Sequence, residues 1–263
     1  MSPDAFQAVL QTFSFMVGAC LGSFFNVVIH RLPAKESLVH PGSRCPNCRH
    51  TIAFYDNIPV LSYLLLRGKC RHCRSPISFR YPLVETLTGA MALLLYNRYG
   101  LHVQFLIEFS FVAILILIAF IDLDTYTIPN VLSLPGIVAG LGLSFFSLRV
   151  TWIDSLLGIL IGGGCLYLLA YCYQRLRHQE GLGGGDIKLL GMIGAFVGLP
   201  GVVFTLLLAS LVGSATGLFL MAHSQKGLST MVPFGPFLAF GAVCYLFWGE
   251  DFFRWYMNEF AGS

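Results

Sequence analysis

FLIEFSFVAILILIAFIDLDTYTIPN, residues 105–130, runs an apolar stretch straight into two carboxylates, Asp122 and Asp124. A helix that spans a bilayer needs about 20 predominantly apolar residues, and this run belongs to one such segment. The composition of the whole chain agrees. Of 263 residues, 56% are hydrophobic and only 11% are charged, whereas a soluble domain carries roughly 25% charged residues. A water-soluble fold of this length could not hide so much apolar surface, so lipid is the solvent for most of the chain. Eight apolar segments are read, at 8–29, 82–97, 101–121, 128–148, 152–174, 187–198, 200–222 and 233–252. The expected fold is therefore an all-α polytopic membrane protein with about eight transmembrane helices. Segment 187–198 is short for a span, and is expected to begin below the membrane surface or to line a protein-walled cleft. Asn97-Arg98-Tyr99-Gly100 and Leu199-Pro200-Gly201 supply turn chemistry between segments. The start, MSPDAFQAVL, lacks a basic n-region, so no cleavable signal peptide is expected.

Lys and Arg collect at the cytoplasmic ends of membrane spans. With the N-terminus outside, the nine basic residues between Arg31 and Arg80 fall inside, as do Arg175, Arg177, Lys188 and Lys226. Only Arg98, Arg149 and Arg254 fall outside, a bias of 13 against 3 that supports both the helix count and the orientation. The acidic residues Glu250, Asp251 and Glu259 then lie outside.

Residues 31–81 form the one substantial polar segment, a cytoplasmic loop. It holds Cys45-Pro-Asn-Cys48 and Cys70-Arg-His-Cys73, two C-x2-C pairs separated by 21 residues. Two such knuckles bring four thiolates to a tetrahedral zinc, with neighbouring backbone N–H groups bonding the sulfurs. A 50-residue segment has too little core to fold alone, and a metal supplies the missing free energy. Redox dithiols and disulfides compete with this reading, but a reducing cytoplasm disfavours stable bridges and no thioredoxin-like pattern surrounds either pair. Four cysteines leave no open position for water, so the zinc is expected to be structural. His72 is read as lying outside the ligand set. Cys20, Cys165, Cys172 and Cys244 lie in apolar runs and read as small buried residues.

The second informative stretch is GLGGGDIKLLG, residues 181–191. A phosphate-binding reading fails on spacing: G-x-G-x-x-G would need glycine where Asp186 stands, and no Gly-Lys-Ser/Thr follows. Asp186 sits on the same predicted face as Asp122 and Asp124, and Glu85 opens the second segment on that side. A first-turn acid favoured by the helix dipole accounts for Asp186 taken alone. It does not account for Asp122, which stands near a helix C-terminus where the dipole disfavours negative charge. Carboxylates at a membrane boundary are costly and are functional candidates by default. Two of them in a semi-dry cleft share one proton, so that one activates water while the other protonates a carbonyl oxygen. That is aspartic-protease chemistry, without a metal or a covalent intermediate. Glycines 183–185 allow close approach of backbone or substrate to Asp186.

Gly183-Gly184-Gly185-Asp186 is a G-x-G-D motif followed by IKLL. Together with IDLDTYTIPN, YPLVETLTG and the paired cysteines, it resembles the type IV prepilin peptidases. The likeness runs from GSFFNVVIHRLP near the N-terminus to PFGPFLA near the C-terminus. It implies an enzyme of the bacterial inner membrane that removes the short basic leader of type IV prepilins and type II secretion pseudopilins at the cytoplasmic face. It also implies N-methylation of the new N-terminus with S-adenosylmethionine. The resemblance selects Asp122 over Asp124 by its interval to Ile128-Pro129, makes Asp122 and Asp186 the catalytic pair, and points to Gly68 in RGKC for the methyl donor. Gly68 reads equally as a turn residue of a zinc knuckle. Glu85 is expected to hold the loop or a substrate amine, and Asn26 with His30-Arg31 to close the first helix onto the loop. The implied organisation is a first transmembrane helix (1–30), a cysteine-rich zinc loop domain (31–81) and a transmembrane peptidase domain (82–263). Partners are the pilin-like substrates and membrane lipid, with no nucleic acid. A proton-coupled transporter using the Asp pair is the rival reading, as is a zinc-dependent scaffold without catalysis. A transporter calls for carboxylates near the bilayer midplane and for internal repeats, and the sequence offers neither.

Overall fold

The computed structural model describes residues 2–177, 183–223, 232–256 and 258–259. Gly181 and Leu182 of the glycine stretch, and Lys226 of the charge bias, lie outside the described residues. The helices are α1 (Pro3–Arg31), α2 (Leu61–Leu65), α3 (Arg80–Tyr99), α4 (Val103–Thr125), α5 (Asn130–Leu143), α6 (Trp152–Arg177), α7 (Gly184–His223) and α8 (Gly235–Tyr256). No strand occurs among the described residues, only two isolated bridges in the cysteine loop. By length and apolar composition α1, α4, α6 and α7 can each cross a membrane, and two shorter apolar helices cover Asn130–Phe146 and Gly235–Gly249. The protein is a multi-pass, all-helical membrane protein.

α7 shows why the sixth apolar segment reads short. Its 40 residues would extend about 60 Å as one rod, twice the thickness of a hydrocarbon core. The rod breaks at Gly198, whose backbone sits at φ 68°, ψ −175°, a conformation open only to glycine. Pro200 follows and cannot donate into the preceding turn. The two pieces match the predicted segments 187–198 and 200–222, with the break beside Leu199-Pro200-Gly201.

The chain packs as two compact units, Met1–Leu117 and Ile118–Ser263, with α4 running through the boundary. In the first, α1 and α3 meet through small residues. A Cβ on Gly18 would stand 2.6 Å from that of Ala92, and one on Gly22 would stand 2.8 Å from the Glu85 Cα. Lipid tails give no hydrophobic drive for helix pairing, so close backbone approach and interhelical hydrogen bonds do that work. The Ser14 hydroxyl supplies one such bond, to the Ala92 carbonyl at 3.1 Å. The outer face of α1 shows Phe6, Val9, Phe13 and Met16, apolar groups suited to lipid.

In the second unit α7 is the centre, packed by α5, α6 and α8. α6 and α7 cross at Gly158 and Gly194, where a Cβ on either would fall on the backbone of the other. Next to this crossing the Ser155 hydroxyl donates to the Ala195 carbonyl at 2.8 Å. The fully buried Leu189, Leu190, Met192 and Ile193 fill the first piece of α7, fixing the helix that begins at the G-x-G-D motif.

Candidate active site

Asp122 lies in the last turn of α4 and Asp186 in the first turn of α7. Asp186 is partly buried, and only 4% of Asp122 is exposed. Two residues along, Asp124 is exposed. Side chains two apart on a helix diverge by about 200°, and the fold turns Asp122 inward and Asp124 outward.

Glycine sets this geometry on two sides. Asp122 Oδ2 accepts the Gly235 N–H at 3.0 Å, and a Cβ at Gly235 would lie 2.6 Å from that same oxygen. Gly235 opens α8, so an orphan N–H at a helix start, where the dipole is positive, is aimed at the carboxylate. Sequence reasoning used PFGPFLA only as part of a resemblance and did not single out Gly235. Asp122 and Gly235 are 113 residues apart, and no local pattern reports such a pairing. At Asp186, a Cβ on Gly185 would press the Ile128 Cβ at 2.9 Å, so this glycine seats the start of α7 against the Ile128-Pro129 turn. The Asp186 N–H donates to the Gly183 carbonyl at 3.1 Å. Lys188, one turn into the helix, donates to Asn130 Oδ1 at 2.8 Å and ties α7 to the first residue of α5.

The four loop cysteines converge. The Sγ atoms of Cys45, Cys48, Cys70 and Cys73 all lie within 4.8 Å of one another. Cys45 and Cys73 are 3.7 Å apart, close to the edge of about 3.8 Å that a tetrahedral ion with 2.3 Å metal–sulfur bonds requires. The two knuckles repeat one design. Cys45 N–H donates to the His50 carbonyl and Cys70 N–H to the Ser75 carbonyl, while Arg49 and Arg74 close each turn on Cys45 and Cys70. Backbone N–H groups of Cys48 and Asn47 draw the Cys45 thiol below its ordinary pKa. The Ser75 hydroxyl, followed by its N–H, draws Cys73 down to about 6. Both effects favour the thiolate that binds metal, whereas at Cys48 a lowering bond from the His50 backbone is outweighed by burial and the three neighbouring cysteines, which push it up to about 11. The set fits a four-sulfur metal site. His72 stays outside the cluster and stacks on His50 with ring centroids 3.5 Å apart. Arg71, between the second pair of cysteines, grips Asp56 through two hydrogen bonds of 2.5 and 2.7 Å and holds that carboxyl below its usual range. Cys20, Cys165 and Cys172, expected to be buried, are exposed, and Cys244 is intermediate. They face outward from apolar helices, where lipid replaces a protein core as the surroundings for a small apolar side chain.

Gly68 occupies the turn that enters the second knuckle, at φ 67°. Its carbonyl accepts the Ile77 N–H at 2.7 Å, as the Ser43 carbonyl accepts Ile52 in the first knuckle. A Cβ there would stand 2.9 Å from the Tyr63 hydroxyl. Glu85 is buried in α3, and its Oε2 accepts the Val60 N–H at 2.7 Å. Val60 carries a φ of 61°, a strained conformation for a β-branched residue, and Glu85 pins it from the helix. Asn26 donates to the Tyr81 carbonyl at 3.1 Å, and Arg31 donates to the carbonyls of Ser37 and Pro41 at 2.9 and 2.7 Å. Arg31 makes the expected tie of α1 to the loop, while Asn26 bonds to the first turn of α3. One further buried carboxylate, Glu108 in α4, was not singled out from sequence. Tyr99 and Gln104 both donate to it, which gives it a structural role.

Comparisons with known proteins converge on one family. Residues 16–99 match the bacterial peptidase A24 N-terminal domain and residues 109–218 match the type IV leader peptidase family. A prepilin leader peptidase/N-methyltransferase of Myxococcus xanthus is 40% identical over 229 residues, covering 87% of this chain and 68% of the relative. Proteins of the same name from Aeromonas hydrophila and Pseudomonas aeruginosa are 37% and 35% identical, each covering 93% of the relative and 94% and 95% of this chain. No solved structure matches the chain. With Asp186 in a G-x-G-D motif, a four-cysteine knuckle pair, and a relative 37% identical over 93% of its own length, the chain belongs to the type IV leader peptidase family.

Proposed function

We propose that this chain is a membrane-embedded aspartic endopeptidase. It removes the leader of type IV prepilins and type II secretion pseudopilins at the cytoplasmic face of the bacterial inner membrane, then methylates the new N-terminus. The observation that supports the reading is the placement of Asp122, buried in the last turn of α4, and Asp186, partly buried in the first turn of α7 at the G-x-G-D motif. The name borne by the relatives supports prepilin substrates. Both family models and all the named relatives are peptidases, so the transporter reading is not proposed.

In this reading one carboxylate takes a proton from a bound water as its oxygen attacks the scissile carbonyl. The protonated partner donates to the carbonyl oxygen, and collapse of the tetrahedral diol passes a proton to the departing amine. The Gly235 N–H holds Asp122 in line for either role. Domain 82–263 carries this peptidase chemistry, behind the first transmembrane helix 1–30 and the loop 31–81. The cysteine cluster holds zinc as a structural ion, because all four positions are taken by sulfur. S-adenosylmethionine, when bound, would supply the methyl group for the new N-terminal amine. Gly68 serves that step by shaping the loop. The positive bias of residues 31–80 supports a cytoplasmic loop with the N-terminus outside.

Incubating the purified chain in detergent with a model prepilin tests this. Mass spectrometry should find the substrate cut before its hydrophobic helix and, with S-adenosylmethionine present, heavier by one methyl at the new N-terminus. Intact substrate under all conditions would contradict the peptidase.

A further inference from the structure

We propose that the methyl donor binds in a cleft of the first unit, between the last turns of α1 and the loop segment 38–43, rather than at the metal knuckles. The inference rests on the methyltransfer reading above and supplies its missing site. The cleft has a volume of about 350 Å³, within the 300–1,000 Å³ typical of small-molecule pockets. Its lining includes Ser23, Phe24 and Arg31 from α1, Gly42 and Ser43 from the loop segment, and Asn57 from the turn before α2.

These residues match the three chemical parts of an adenosyl sulfonium that carries an amino acid. Phe24 is exposed and offers a face for a purine, while Ser43 and Asn57 offer hydrogen bonds to base and ribose. Arg31 has five N–H groups. Two hold the carbonyls of Ser37 and Pro41, which fixes the guanidinium at the wall of the cleft as a partner for a carboxylate. Glu85 accepts the N–H of Val60, next to the lining residue Pro59, and so ties this side of the cleft to α3. A second reason favours the cleft over the knuckles. Around Gly68 the space is filled by Tyr63, whereas a Cβ on Gly42 meets no atom within 4 Å.

Gly42 therefore gives a clean test, since a side chain there enters open space and its backbone is not in the left-handed region. The full chain in detergent would be irradiated with radiolabelled S-adenosylmethionine and the labelled peptides mapped by mass spectrometry, with equilibrium binding measured in parallel. Label is expected in peptides covering 20–43 and 54–60. Gly42→Phe should lose labelling and binding at least tenfold while keeping its metal content and melting temperature. Phe24→Ala should weaken binding roughly tenfold, the scale of one lost base-stacking contact, and Phe24→Tyr should restore it. Label confined to other peptides, or unchanged binding in Gly42→Phe, overturns this site and leaves the methyltransfer reading standing. A wild-type chain that binds no donor and leaves cleaved substrate unmethylated overturns both.

Discussion

The cysteine loop and the carboxylate pair reach their geometry by opposite routes. In the loop, each knuckle is closed by bonds between residues at most ten apart, and the same turn is built twice. Two copies then need only one ion to join them. At the carboxylate pair no local bond brings the partners together. Asp122 is delivered by the end of one long apolar helix and Asp186 by the start of another, and Gly235 reaches Asp122 from a third. A loop made this way should fail locally when its ion is removed, whereas the carboxylate site should lose chemistry without losing fold.

The largest effect that sharpens this contrast is Asp186→Asn. Asn keeps the size but cannot carry the catalytic proton, so cleavage should fall by about three orders of magnitude, with membrane insertion and melting temperature unchanged. Steady-state cleavage of a model prepilin measures it. Gly235→Ala comes next. Its methyl would displace the Asp122 carboxylate, and a misplacement of this kind costs roughly 100-fold in rate, without loss of expression. Cys70→Ser breaks the comparison from the other side. Metal analysis should fall from about one equivalent of zinc to near zero, and limited proteolysis should open sites within residues 31–81 while the helices stay protected. Retention of a full equivalent would dismiss the four-sulfur site. The smallest effect is expected for Gly185→Ala. Its Cβ would press Ile128, an overpacking that costs about 1–3 kcal/mol, to be read as a modest fall in thermal stability.

The same difference in route explains what the sequence made legible. Apolar run lengths gave the helices, and the break in α7 at Gly198 sits next to the Leu-Pro-Gly turn expected there. Cysteine spacing predicted the cluster because the knuckle is a local object. The hand-off from Asp122 to Gly235 was invisible, since a backbone N–H has no side chain to mark it and its partner lies in another segment. Gly68 was ambiguous in sequence for a physical reason: a turn that needs positive φ and a ligand that needs room select the same residue. Its φ of 67° and its contact with Tyr63 account for it through the turn. The burial of Cys20, Cys165 and Cys172 was misjudged because apolar sequence around a residue predicts an apolar environment, and in a membrane protein that environment is lipid as readily as core.

The central claim is that Asp122 and Asp186, not Asp124, form the working pair. Cleavage rates of Asp122→Asn and Asp124→Asn, measured side by side on one model prepilin with equal amounts of inserted protein, test it most directly. The account predicts no detectable cleavage by Asp122→Asn and a rate within about tenfold of wild type for Asp124→Asn, whose side chain faces outward. An active Asp122→Asn beside a dead Asp124→Asn would contradict it.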